Sequence, residues 1–124
     1  MHTSEQEITK IRKEIRGKLT NDLLELMILK VLEEQPMCSY KIMEKISETY
    51  GVRLKPSSIY SLLNASEKRS YLAGQWSMES GKPMRVYQLT SQGKRLLQLT
   101  ERSLELICET VSRDTAKTVE VSTM

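Results

Sequence analysis

The stretch Lys55-Pro56-Ser57-Ser58-Ile59-Tyr60-Ser61-Leu62-Leu63-Asn64 constrains this chain more than any other. Pro56 fixes φ and suits the first turn of a helix, and serines just behind it favour a helix start. Ile59, Leu62 and Leu63 recur at i, i+3 and i+4, which lines up one apolar stripe. Ser57, Tyr60, Ser61, Asn64 and Lys68 fall on the other side and bring hydroxyls, a phenol, an amide and an ammonium, with no carboxylate among them. Such a helix can rest on a core by one face and offer hydrogen-bonding groups to a polyanion by the other. It reads as the recognition helix of a DNA-binding domain. The plainer alternative is a surface helix that happens to lack acids on one side.

Composition sets the frame for that helix. The 124 residues suffice for one domain with a modest core. A hydrophobic fraction of 39% and a charged fraction of 28% describe an ordinary globular chain rather than a disordered one. There is no Phe, one Trp and seven Met, so the core must be built from Leu, Ile, Val and Met, which favours helices over a sheet sandwich. The net charge of +3 is unevenly spread. Residues 19–36 sum to −3, whereas residues 55–70 sum to +2 and residues 71–90 to +1. The basic excess thus falls on the proposed recognition helix and the twenty or so residues after it, as phosphate binding requires.

Several classes are disfavoured. His2 is the sole histidine, and there is no Ser/His/Asp set, metal-ligand cluster or Gly-rich phosphate loop, so an enzyme is not expected, nor is a cofactor or metal. Cys38 and Cys108 lie far apart without a CxxC and are expected as buried or half-buried free thiols. No apolar run approaches the roughly 20 residues of a membrane span, and the start lacks the apolar core of a signal peptide. The expected location is cytoplasmic, with no membrane partner.

In chain order, Ile8, Ile11 and Ile15 mark a short amphipathic helix within residues 1–18, ending near Gly17. Thr20 or Asn21 would cap the next helix, whose Leu23, Leu24, Met27, Ile28, Val31 and Leu32 make a broad apolar face before Pro36. Ser39 would cap a third helix reaching about Tyr50, with Gly51 as its stop. From Tyr71 the period changes to strand spacing, and Ser80-Gly81-Lys82-Pro83 signals a turn before a second strand from Met84 to Leu89. The result is a hairpin with Lys82 at its tip, Arg85 just beyond, and Trp76 expected in the core. Thr90 or Ser91 would cap a last helix over 91–114, on which Leu97, Leu104, Ile107 and Val111 recur at helical spacing. So small a domain has little core for so long a stripe, and self-association with the isoleucines of residues 5–16 covers it economically. Residues 115–124 are unpatterned and expected as a flexible tail. The fold class is mainly α with a small β-hairpin: a winged helix-turn-helix over 19–90, an N-terminal helix and a C-terminal dimerisation helix.

Five pieces in this order carry a resemblance: Leu23-Leu24-Glu25-Leu26-Met27-Ile28-Leu29, Ser39-Tyr40-Lys41-Ile42, Leu54 through Leu63, Gly81 through Thr90, and Gly93-Lys94. Together they make residues 20–110 closely similar to the PadR family of transcriptional regulators, in its short form with one C-terminal helix. The resemblance implies a winged-helix homodimer that binds a palindromic operator, usually as a repressor. It also implies that a small-molecule effector, if there is one, sits between the winged domain and the dimer helices, where this chain has no aromatic residue on its last helix. Two residues depart from the family's pattern: Ser70 stands where Gly is common before the first wing strand, and Ser66 stands where an apolar residue is usual.

The expected contacts draw on both readings. Two recognition helices would enter successive major grooves about 34 Å apart. Lys55, Lys82 and Arg85 would pair with phosphates, while Ser57, Ser58, Tyr60 and Ser61 would bond to phosphates or base edges. Asn64 would pair with an adenine edge, and Tyr40 and Lys41 would hold the backbone. The dimer contact would use Ile8, Ile11, Ile15, Leu97, Leu104, Ile107 and Val111. The competing reading is a winged-helix module for protein–protein contacts without DNA binding, since many of the basic residues lie outside the helix and hairpin.

Overall fold

The computed structural model describes the backbone of residues 4–123, and side chains for 4–19 and 23–114. His2 and the proposed cap side chains of Thr20 and Asn21 lie outside the described residues. The elements in order are α1 (Glu5–Glu34), β1 (Met37–Cys38), α2 (Ser39–Tyr50), α3 (Pro56–Lys68), β2 (Leu72–Ser77), β3 (Met84–Leu89) and α4 (Ser91–Thr123).

The first departure from expectation is α1, which is one helix where two were expected. Ser4 caps it by accepting the Glu7 N–H at 3.1 Å, and it runs unbroken through Gly17 and Thr20 to Glu34. A glycine inside a helix costs only about 1 kcal/mol relative to alanine. Flanking Lys, Glu, Arg and Leu residues outweigh that, and no proline intervenes before Pro36. The boundary expected at residue 18 therefore falls inside a helix.

The C-terminal half of α1 forms the centre of the core. Leu24, Ile28, Leu29, Val31 and Leu32 are buried there with Ile42 and Ile46 of α2, Ile59 and Leu63 of α3, and Leu72 and Tyr87 of the hairpin. Leu97 of α4 is 0% exposed and belongs to the same cluster. Its proposed place in a dimer contact is corrected accordingly: the first turns of α4 pack on α1 and β3, and only later turns leave the core. On α1 the residues before Leu23 that are described lie outside the core, with Ile8, Ile11, Ile15 and Leu19 exposed.

The sheet has three strands in the order β1-β3-β2, all antiparallel. Met37 faces Tyr87 and Cys38 faces Val86, an edge strand absent from the sequence reading because two residues are too short to show alternation. The hairpin register runs from Leu72 opposite Leu89 to Ser77 opposite Met84. Thr90 joins the layers. Its hydroxyl accepts the Gly93 N–H at 3.0 Å, capping α4, and donates to the Ser70 carbonyl at 2.5 Å. Gly93 must be glycine here, since a Cβ would lie 2.1 Å from the Tyr71 carbonyl oxygen. The backbone of α4 stays helical to Thr123, through the stretch expected as a flexible tail. Once nucleated, a helix gains one hydrogen bond for each residue added.

Cys38 is half-buried, whereas Cys108 is exposed on α4, contrary to expectation. Both thiols are free. Among the described residues no helix is long and apolar enough to cross a membrane.

Ser70 carries the unusual backbone of this fold. It links α3 to β2 with φ +65°, the only non-glycine with positive φ among the described residues. Its N–H reaches the Glu67 carbonyl at 3.0 Å, and Tyr71 N–H reaches the carbonyl of buried Ser66 at 2.9 Å. This left-handed closure explains why glycine suits the position. Replacing Ser70 by Gly should stabilise the fold by about 0.5 kcal/mol, while the β-branched Ser70→Val should lose about 1–2 kcal/mol. Urea denaturation of both variants measures this, and the opposite ranking would refute the strain account.

Candidate nucleic-acid interface

Helix α3 begins with Pro56 at its first turn, and the Lys55 carbonyl accepts the Ser58 N–H at 3.0 Å. Ile59, Leu63 and Ser66 are buried, which fixes the rotation of the helix. Ser57, Ser58, Tyr60, Ser61 and Asn64 are consequently turned to solvent, and Lys55 and Lys68 are exposed at the two ends. The sequence reading of this face agrees with the rotation observed.

The start of α2 adjoins it. Ser39 was expected as a cap but is the first helical residue, and its hydroxyl donates instead to the Tyr60 hydroxyl at 3.4 Å. Tyr40 and Lys41 are exposed beside it. Gly51, with φ +66°, ends α2 by donating its N–H to the Ser47 carbonyl at 2.9 Å. The short connection through Val52, Arg53 and Leu54 then delivers the chain to Lys55. On the hairpin, Lys82 is exposed at the tip next to Gly81, whose φ is +82°.

Arg85 does not stand free beside Lys82. Its guanidinium donates to the Glu67 carboxylate on the last turn of α3. It also lies 5.6 Å from the ring centre of Trp76 and 5.9 Å from that of Tyr87. The hydrogen bond that Arg85 donates to Glu67 raises its pKa above the ordinary value. Burial pushes the Tyr87 phenol up, with the nearby Arg85 charge pulling partly the other way. Glu67 and Trp76 are thus parts of the site that the sequence reading did not assign. The signal available was that Glu67 is the sole acid of α3.

Trp76, expected in the core, is 68% exposed on β2. It shares a sheet face with Leu72, Gly74 and, across the hairpin, buried Tyr87, but lies one strand pair beyond that last core residue. An open cleft of about 860 Å³ lies between α2 and the hairpin, walled in part by Met37, Lys41, Lys45, Trp76, Met84 and Val86. None of the described residues of α4 lines it. It is therefore a different place from the one implied for an effector. Among the described residues, no group of three or more His, Cys, Asp or Glu side chains is arranged to hold a metal ion.

A reading helix set across a preceding helix, followed by an antiparallel hairpin, defines a winged helix-turn-helix protein. The family model for PadR-like transcriptional regulators matches residues 28–99, more than half of the chain. The chain belongs to that family. It is similar in fold to a PadR family transcriptional regulator from Eggerthella lenta, at 23% identity and TM-score 0.77, over 87% of this chain and 95% of that one. A PadR-like regulator from Bacillus cereus matches at 22% identity and TM-score 0.70, over 77% and 94%. Bacillus subtilis PadR, solved in complex with operator DNA, matches at 25% identity and TM-score 0.57, over 61% of this chain and 45% of that one. No match was found among curated proteins.

Because Trp76 is the only tryptophan and is exposed, acrylamide should quench most of the native emission. Strong protection in the folded protein, compared with the urea-unfolded chain, would contradict this placement.

Proposed function

We propose that this protein is a sequence-specific DNA-binding transcriptional regulator that acts as a homodimer on a palindromic operator, as a repressor. The observation that carries the reading is the outward face of α3, where Ser57, Tyr60, Ser61 and Asn64 are all exposed and none is acidic. Hydroxyl and amide groups on a helix of this diameter suit base edges on the floor of the major groove. Tyr40, Lys41, Lys55 and Lys82 are exposed as well and supply the hydroxyl and ammonium groups that would meet phosphates. The operator complex of Bacillus subtilis PadR supports DNA as the ligand class.

Dimerisation rests on a different observation. Ile8, Ile11, Ile15 and Leu19 on α1 and Leu106 and Ile107 on α4 are exposed, two apolar stripes on the two long helices that leave the core. Leu104 is half-buried beside the second stripe. Burying a large aliphatic side chain contributes about 1.5–3 kcal/mol, so pairing the stripes between two copies is strongly favourable. A two-fold pair of this kind presents two α3 helices to one side of a duplex and matches a palindromic site.

Selection of bound duplexes from a random pool tests the reading. The expected product is an inverted repeat with half-sites about one helical turn apart, bound with an affinity that falls steeply as salt rises. Lys82→Ala should lower affinity on all sequences alike and reduce the salt slope by about one. Asn64→Ala should cost about 1–3 kcal/mol and relax preference at one position of each half-site. Ile11→Glu with Ile107→Glu should yield a folded monomer by sedimentation. A wild-type monomer that ignores duplex DNA at low salt would overturn the proposal.

A further inference from the structure

Glu67 stands in an awkward place for a helix that approaches phosphates. It follows Asn64 by three residues and Tyr60 by seven, so it borders the polar face of α3. Its carboxylate is engaged by Arg85, which reaches it from β3, and the two side chains are 32% (Arg85) and 28% (Glu67) exposed. The guanidinium is also held from the sheet side. Trp76 faces Arg85 across the hairpin and Gly74 faces Tyr87, so all four residues share one sheet face. A Cβ on Gly74 would come within 2.7 Å of Arg85 Nε and 2.9 Å of its Cζ. The missing side chain at Gly74 is the space in which the guanidinium lies. A guanidinium held within 6 Å of two ring centres while it bonds a carboxylate uses the flat face and several donors of arginine, which the point charge of lysine lacks.

We propose that Arg85 is a positioning residue that locks the hairpin to the last turn of α3 through Glu67, Trp76 and the space at Gly74. The lock sets the angle between the base-reading face and the hairpin tip. It therefore sets which phosphate Lys82 meets when Asn64 is over its base. This rests on the DNA-binding reading above, and it removes Arg85 from the phosphate contacts expected there. Glu67 has a second effect, since its charge beside the polar face is offset by the partner it holds.

Substitution of Glu67 separates the two roles of Arg85 by sign. If Arg85 contacts phosphate, Glu67→Gln removes a repelling charge and releases a cation, so DNA affinity rises and its salt slope steepens. If Arg85 positions the hairpin, Glu67→Gln weakens binding by about three- to tenfold with the slope unchanged. Arg85→Lys gives a second test. A phosphate contact is rescued by lysine, whereas the lock predicts that Arg85→Lys loses as much affinity as Arg85→Met. Thermal unfolding of each variant checks that the fold persists.

Trp76 supplies a readout without DNA. The Trp76 emission maximum and its acrylamide quenching should both shift in Glu67→Gln and in Arg85→Lys, because the guanidinium cation no longer sits 5.6 Å from the ring centre. Were wild-type protein to bind no duplex, the functional reading would fail, and quenching alone would then decide whether the lock exists. Unchanged quenching in both variants, or tighter DNA binding by Glu67→Gln, overturns the proposal.

Discussion

The burial of one apolar stripe on the second half of α1 is the constraint on which the rest of the molecule depends. Leu24, Ile28, Leu29, Val31 and Leu32 join one buried cluster with side chains from α2, α3, the sheet and α4, and each fully buried side chain contributes about 1.5–3 kcal/mol. Helix α2 lies against α1 with Ile42 and Ile46, α3 joins the same buried cluster through Ile59 and Leu63 while packing on α2 and β2, and α4 adds Leu97. Once those four side chains of α2 and α3 are committed inward, the outward face of α3 is no longer a choice. The position of Asn64 in space is set by that of Ile59 and Leu63 beside it on the same helix.

The periodic parts of this arrangement were legible from residue spacing. The helix at 56–68, its rotation, the stop at Gly51 and the hairpin over 72–89 all announce themselves through apolar period and turn chemistry. Three features did not. Gly17 looked like a helix end, yet a single glycine is too weak a breaker against a run of good helix formers. Strand β1 exists only because β3 is there to pair with it, and a two-residue partner leaves no local trace. Leu97 looked like one member of a long exposed stripe, because spacing along a helix gives no warning of where its supporting core stops.

The candidate site divides in the same manner. Side chains whose exposure depends on a single helix face, such as Ser57, Ser61 and Asn64, could be placed directly. Those whose role depends on a neighbour across the fold could not. Arg85 looks basic and available in sequence, but a carboxylate eighteen residues earlier claims it. Trp76 looks like core material, but the sheet outruns the core by the time it is reached. Ser70 is intermediate: its departure from glycine was visible, and the positive φ supplies the physical meaning of that departure.

The continuity of α1 has a mechanical consequence. At 1.5 Å per residue, thirty residues make a rod about 45 Å long, with one end embedded in the core and the other carrying Ile8, Ile11 and Ile15. Anything that grips the free end has leverage on the embedded end, and a small tilt there becomes a displacement of α3. Gly17, with open space around it, is where such a beam yields most readily to bending. Stiffness at that residue, together with the Arg16 guanidinium that donates to the Tyr50 carbonyl at 2.9 Å, governs how faithfully a tug on the outer half is transmitted to the inner.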